Sequence, residues 1–330
     1  MSRVLIGAAV ALGLSAATAL AEYPEKEIQG IIQWGAGGST DTVMRAVTPH
    51  AEEILGGSVV MQNMTGGVGA IALNHVAGTA ADGYTLLMGA ENPMLYKVMG
   101  FGDKDYSDFI PVSLLARGTP ILVAHPDAPF NTFPEMMEYI GANPDAVRFG
   151  STGPGGVPSV VTAMMTSETA LPVIFVPYDG DGPALTALQG GAIDVMPAVL
   201  GAAVEGIRAG TMKPIALFDT QPSEALPEVA TVTSTNPEFE KFLPWGPFFG
   251  VFAPNGTPDE VVAKLQGAFA EAAQQPDFVN LMDGRGFTMM NISGAEAEEF
   301  LGKWQRNTAW LMHDAGLTKN SPEDFGIERP

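Results

Sequence analysis

The 330-residue sequence has no cysteine, which excludes disulfides, thiol nucleophiles and thiolate metal sites. Histidine is nearly as scarce: there are only four, His50, His75, His125 and His313. None falls in an HExxH pattern, and the chain has no GxSxG nucleophile elbow. Positive charge is thin, with 16 Lys and Arg against 37 Asp and Glu and a formal net charge of −21. That imbalance argues against nucleic acid or an anionic lipid surface as partner. It leaves room for a small anion, because a local nest of N–H groups outweighs a distant negative surface. Acid pairs such as Glu52-Glu53 and Glu298-Glu299 read as wet helix faces in so acidic a chain.

Long apolar runs are missing beyond the N-terminus, so no later segment predicts a membrane span. Met1-Ser2-Arg3 supplies a positive start, Val4 to Leu14 an apolar stretch, and Ala19-Leu20-Ala21 a small-x-small site. That order describes a secretory signal peptide over residues 1–21, cleaved after Ala21. A membrane anchor would need about 20 apolar residues. The rest of the chain is long enough for two domains, and 46% hydrophobic residues supply two cores.

What is present is an alternation of short β-branched runs with helix-period runs. Ile28–Trp34 predicts a strand and Thr40–Leu55 a helix, with Val43, Val47, Ala51, Ile54 and Leu55 on one face. Strands near Val59–Gln62 and Thr85–Met88 flank a helix over Ala70–Ala77. This β-α-β-α-β order predicts a parallel sheet with right-handed crossovers. A second unit begins at Ile121–His125. Thr132-Phe133-Pro134-Glu135 is a capping box that opens a helix to about Ala142. Strands near Arg148–Gly150, Val173–Val176, Ala192–Met196 and Pro214–Phe218 follow, with helices near Pro158–Glu168, from Pro183, and Ala202–Ala209. Pro222 to Trp245 reads as a long surface loop. Phe248–Ala253 is then a strand. Thr257-Pro258 opens one helix, and Ser293-Gly294-Ala295-Glu296 caps another that stops at Gly316. The order predicts an α/β architecture of two lobes crossed twice: lobe 1 from 22–120 and 248–330, lobe 2 from 121–247, hinged around a ligand cleft.

Three strand–helix junctions are rich in glycine. The first is Trp34-Gly35-Ala36-Gly37-Gly38-Ser39-Thr40-Asp41. The second is Gly150 to Ser159, with Ser151, Thr152 and Gly153. The third is Val176 to Ala184, with Tyr178, Asp179, Gly180, Pro183 and Ala184. Glycine lets backbone N–H groups reach a ligand with no Cβ in the way, and the helix start adds its free amides and positive dipole end. The bland alternatives are a tight turn with N-cap chemistry at Gly35–Asp41 and a core role for Trp34. Asp179 and Asp181 read from their surroundings as solvated loop acids or N-caps. Gly66-Gly67-Val68-Gly69-Ala70-Ile71-Ala72 holds a GxGxxA pattern, but it follows the second strand, which is the wrong turn for a dinucleotide fingerprint. A secreted α/β hydrolase would have Ser39 or Ser151 as its nucleophile, with no histidine evidently available to either.

Read together, the motifs resemble the periplasmic solute-binding proteins of tripartite tricarboxylate transporters, the Bug family. The resemblance rests on Tyr23-Pro24 with Ile28, Gly37-Gly38-Ser39-Thr40-Asp41, and Ala81-Asp82-Gly83-Tyr84-Thr85-Leu86-Leu87. It continues through Gly150-Ser151-Thr152-Gly153, Val176-Pro177-Tyr178 to Gly180, Pro183-Ala184, Gly190-Gly191 with Asp194, and Ala253-Pro254 with Thr257-Pro258. It implies a two-lobed type II periplasmic binding fold and a small organic carboxylate as ligand: a di- or tricarboxylate, an aromatic acid or an amino acid. Residues Trp34–Asp41, Ser151–Gly153, Tyr178–Gly180 and Pro183-Ala184 would bind it by amides, hydroxyls and ordered water. The resemblance also implies a periplasmic protein that delivers its ligand to two membrane subunits; the reading includes no catalytic residue, metal or cofactor, takes the chain as a monomer, and leaves a ligand-sensing subunit not coupled to transport as an alternative. The chain departs from the family where Gln33-Trp34 replaces Pro-Phe, Gly156 replaces Ser, and Ser159 stands near a usual His. These changes bear on ligand identity.

Overall fold

Buried apolar strands decide where the two sheets form. The computed structural model describes residues 23–330; the signal-peptide reading of residues 1–21 lies outside the described residues. In chain order, β1 (Ile28–Ile32) leads into α1 (Ser39–Leu55), β2 (Val59–Asn63), α2 (Ala70–Ala77), β3 (Thr85–Ala90), α3 (Tyr96–Met99) and β4 (Phe109–Arg117). The chain then crosses to β5 (Pro120–Ala124), α4 (Phe133–Ala142), β6 (Arg148–Ser151), α5 (Val157–Glu168), β7 (Ile174–Pro177) and α6 (Asp181–Gln189). This part ends with β8 (Val195–Val199), α7 (Leu200–Arg208), β9 (Lys213–Leu217) and α8 (Val232–Thr235). It returns as β10 (Phe248–Pro254), α9 (Asp259–Ala272), α10 (Pro276–Gly284), β11 (Thr288–Ile292) and α11 (Gly294–Asp314). Among the described residues no helix is long and apolar enough to cross a membrane.

The first lobe is built on a six-stranded sheet in the order β11-β4-β10-β3-β1-β2, the second on a five-stranded sheet in the order β7-β6-β8-β5-β9. β1, β2 and β3 are parallel, as the helical crossovers require. β10 breaks the pattern by entering antiparallel between β3 and β4. It returns from the other lobe rather than through a crossover helix, so its direction is free of the βαβ rule. All seven of its residues are buried, and Tyr106 stacks on Phe252 at 3.9 Å. The second sheet is likewise mixed, with β6 parallel to β7 and β8, and β5 antiparallel to β8 and β9.

The parallel arrangement expected for β1, β2 and β3 is thus observed, and the antiparallel β10, β4 and β11 extend that sheet into a mixed one. α3, β4, α10 and β11 were not anticipated: α3 is a single turn, β4 is an apolar run interrupted by Pro111, and α10 and β11 mix polar and apolar residues without a clear period. The stretch from Pro222 to Trp245 was expected to be loop; it contains α8 and a 3₁₀ segment at Pro237–Phe242. The capping box expected at Ser293 makes no side-chain cap bond. At the other expected box, Thr132 does accept the Glu135 N–H, at 3.4 Å. The return segment is anchored by two indoles: Trp245 Nε1 donates to Thr308 Oγ1 at 3.0 Å and Trp304 Nε1 to the Gly246 carbonyl at 2.8 Å.

Candidate functional site

Three helices begin at the same cleft, and each begins with glycine. α1 is N-capped by Gly38, α5 by Gly156 and α6 by Gly180, and none of the three receives a side-chain cap bond. Ser, Thr, Asp or Asn would be the stabilising choice at these positions. Glycine forgoes that capping bond and leaves the first-turn amides to a ligand, with the positive end of each helix dipole behind them.

The cleft has an inner chamber and an outer mouth. The inner chamber, of about 30 Å³, is lined by Gly38, Ser39 and Thr40 of α1, Gly180 and Asp181 at the start of α6, and Thr152 and Val157 at the start of α5. Ala90 and Glu91 close it from the end of β3, and Trp34, Val199, Pro247 and Phe249 complete the wall. That space suits one small head group or a water or two. The mouth, about 520 Å³, is lined by Trp34, Gly67, Val68, Thr152, Gly153, Pro177, Tyr178, Asp179 and Pro183. Trp34 and Thr152 face both spaces.

The residues singled out from sequence therefore divide into two groups. Trp34, Gly38, Ser39, Thr40, Thr152 and Gly180 line the inner chamber, and Gly153, Tyr178, Asp179 and Pro183 line the mouth. Gly35, Ala36, Gly37, Asp41, Ser151 and Ala184 line neither and form the scaffold behind. The Gly35 N–H donates to the Asp179 carbonyl at 3.0 Å. Gly182 packs so closely on the first turn that a Cβ there would collide with the Ala36 carbonyl and lie 2.9 Å from the Gly38 nitrogen. Gly37 has φ 77°, and its N–H donates to Asp41 Oδ2 at 3.0 Å. Burial works against the charge on Asp41. Donation from Gly37, from Asn63 Nδ2 at 2.9 Å and from Arg45 Nε at 2.7 Å outweighs it and holds the carboxyl below its ordinary range. Ser151 Oγ accepts the Gly153 N–H at 3.2 Å, and the Ser151 carbonyl accepts the Tyr178 N–H at 2.8 Å. Ala184 is buried in the second-lobe core.

Two acids change the electrostatics. Asp181, expected to be a solvated loop acid or a cap, is the first residue of α6 and faces the inner chamber; the cap is Gly180. Burial pushes its carboxyl up to about 6, against donation from Val199 N–H at 3.4 Å and Ser39 Oγ at 3.3 Å. Glu91 was not foreseen. It is 3% exposed, burial pushes it up to about 8, and the nearby Asp181 charge adds to the rise. The signal for Glu91 was its position: a charged residue directly after a strand parallel to β1, where ligands of open α/β sheets bind. Beside it Asn92, 1% exposed, has neither side-chain polar atom paired, and the fully buried Gln33 leaves Nε2 unpaired. No Lys, Arg or His lines either space among the described residues. Val68, at φ 58°, is a strained residue at the mouth, held by the Tyr96 hydroxyl donating to its carbonyl at 2.7 Å.

The histidines lie elsewhere: His50 pairs with Asp277, His125 lies 3.9 Å from Asp127, His313 bonds Thr318, and His75 is exposed on α2. No group of three or more His, Asp or Glu is placed to hold a metal among the described residues.

Comparison with known proteins fits this geometry. Residues 43–317 match the model of the tripartite tricarboxylate transporter family receptor. Protein BugT of Bordetella pertussis is 30% identical over 335 residues, covering 96% of this chain and 98% of BugT. Among solved structures, the periplasmic binding protein BugD superposes with TM-score 0.83 at 26% identity, over 90% of this chain and 99% of BugD. MatC of Rhodopseudomonas palustris, solved with bound malate, gives 0.79 at 27% identity over 87% and 100% of the two chains. These neighbours are two-lobed solute-binding proteins and not enzymes, which sets aside a hydrolase built on Ser39 or Ser151. From glycine-capped cleft to matched sequence, the chain belongs to the family of tripartite tricarboxylate transporter receptors, the Bug or TctC solute-binding proteins.

Proposed function

We propose that this protein is a periplasmic receptor that captures a small organic carboxylate between its lobes and delivers it to the membrane subunits of a tripartite transporter. The observation that supports it best is the meeting of three uncapped helix starts, one from the first lobe and two from the second, at one cleft. Each offers roughly 0.3–1 kcal/mol to an exposed anion and up to about 2 when partly buried. With charge-assisted hydrogen bonds from the same amides, micromolar binding needs no arginine. MatC holding malate supports the same class of ligand. Lobe closure would exclude water and strengthen each contact.

A thermal-shift screen over mono-, di- and tricarboxylates tests the reading. A ligand at a hundred times its Kd adds about 2.7 kcal/mol of stability. No stabilisation by any carboxylate at millimolar concentration would refute it. Delivery is tested by reconstituting carboxylate uptake with the membrane subunits in vesicles, with and without the receptor.

A further inference from the structure

Glu91 and Asp181 sit at the same inner chamber, one from each lobe, in a site that otherwise attracts anions. A di- or tricarboxylate entering there would bring its charge against two acids and no cationic side chain. We propose that Glu91 and Asp181 form a cation-accepting subsite, so that the captured carboxylate also carries an ammonium group. This assignment rests on the carboxylate-receptor reading and narrows its ligand class.

The Glu91 carboxylate is unspent. Among the described residues its one side-chain hydrogen-bond partner is its own main-chain amide, although it is only 3% exposed. A carboxylate so placed costs free energy in the empty protein and is retained where a ligand compensates it. Asn92 next to it keeps both amide atoms unpaired, and its Nδ2 lies near the start of α5, 3.3 Å from where a Cβ of Gly156 would be. The volume agrees: about 30 Å³ accommodates an –NH₃⁺ group, which is about the size of water. The Ser39, Thr40 and Thr152 hydroxyls accept its remaining hydrogens. A divalent metal is a poor fit, since two acids fall short of an oxygen cage and no third ligating acid or histidine joins them among the described residues.

Proton linkage gives a second signature. The charged or titratable groups that face Glu91 are Asp181 on α6, Tyr96 on α3, and Tyr106 in the turn before β4. Both tyrosines are held neutral by burial, so the two acids titrate alone in this range. An ammonium group stabilises both ionised carboxylates, so its binding expels the Glu91 proton and tightens as pH rises toward about 8.

The test is calorimetric titration with length-matched probes: succinate against β-alanine, glutarate against 4-aminobutyrate, adipate against 6-aminohexanoate, with glycine and L-norleucine for the α-amino series and butylamine as the amine alone. The expected result is that an amino carboxylate binds about tenfold or more tightly than its dicarboxylate match at pH 7.5. Glu91→Gln should abolish that preference and cut the gain in affinity between pH 6 and pH 8. Glu91→Gln keeps a side-chain oxygen to accept the one main-chain N–H that Glu91 accepts, and its melting curve verifies folding. Tighter dicarboxylate binding that Glu91→Gln leaves unchanged would overturn the subsite and leave the carboxylate receptor standing. So would dicarboxylate binding that needs added Mg²⁺ or Ca²⁺ and is lost in EDTA. Butylamine binding as tightly as any amino carboxylate would keep the acid pair but refute the carboxylate reading, and silence from every probe would sink both.

Discussion

The Gly35 N–H donates to the Asp179 carbonyl at 3.0 Å, joining the first turn of one lobe to a turn of the other by main chain alone. Ser39 Oγ donates to Asp181 Oδ2 beside it at 3.3 Å, and Gly182 fits where no Cβ would. The lobes thus meet across the cleft through groups that carry no large side chain.

Gly182→Ala should hold the lobes apart, because its methyl group must displace the Ala36 carbonyl. Ligand affinity is expected to fall about tenfold or more with the second-lobe core intact. Small-angle scattering should then show no ligand-dependent compaction. Normal affinity with normal compaction would mean that closure takes another path.

Thr152 lines both chamber and mouth, while Ser151 supports the turn behind. Thr152→Val is expected to weaken carboxylate binding about threefold to tenfold with little change in melting temperature, the loss of one hydrogen bond. Ser151→Ala should instead lower the melting temperature slightly, through the Gly153 N–H it leaves unpaired. Calorimetric titration and melting of both variants separate the two roles.

Asp41→Asn should destabilise the protein by about 1–3 kcal/mol, since the Gly37 turn and the Arg45 and Asn63 contacts all converge on its carboxylate. The Asp41 carboxyl is lowered on folding, so its contribution is present above the ordinary Asp range and disappears as pH falls through the folded value. Melting temperatures between pH 3 and pH 7 should converge for the two proteins at the acid end.

Glu91 and Asp181 have the opposite sign. Their folded values, about 8 and about 6, exceed the ordinary 4.5 and 3.8. The unfolded chain therefore releases these protons first, and ligand-free stability falls as pH rises from about 4 toward 8. Glu91→Gln should remove most of that decline, raising stability at pH 8 by up to about 4–5 kcal/mol and scarcely at pH 4. An unchanged melting temperature at pH 8 would show that Glu91 is not desolvated.

The glycine junctions were legible because glycine, serine and small polar residues at a strand–helix boundary have local causes. The N-caps at Gly38 and Gly180 fall inside the predicted stretches for that reason. Helix α2 falls on the expected Ala70–Ala77, where the glycine-rich turn before it and the Asp82-Gly83 turn after it bound the segment. β10 is different: Phe248 to Ala253 declares a strand, but its antiparallel seat between β3 and β4 is a tertiary fact. Asp181 and Glu91 were missed by the same logic. An acid in a loop is ordinarily wet, and only the approach of the other lobe makes these two dry.

A grip made of peptide groups has an evolutionary consequence. Short of proline, no side-chain substitution removes the first-turn amides behind Gly38, Gly156 or Gly180, so attraction for an anion does not depend on the identity of any one side chain around them. Wall residues such as Glu91 and Trp34 can be exchanged without touching that main-chain grip. One scaffold can change its cargo by altering a few wall positions while the handle stays fixed.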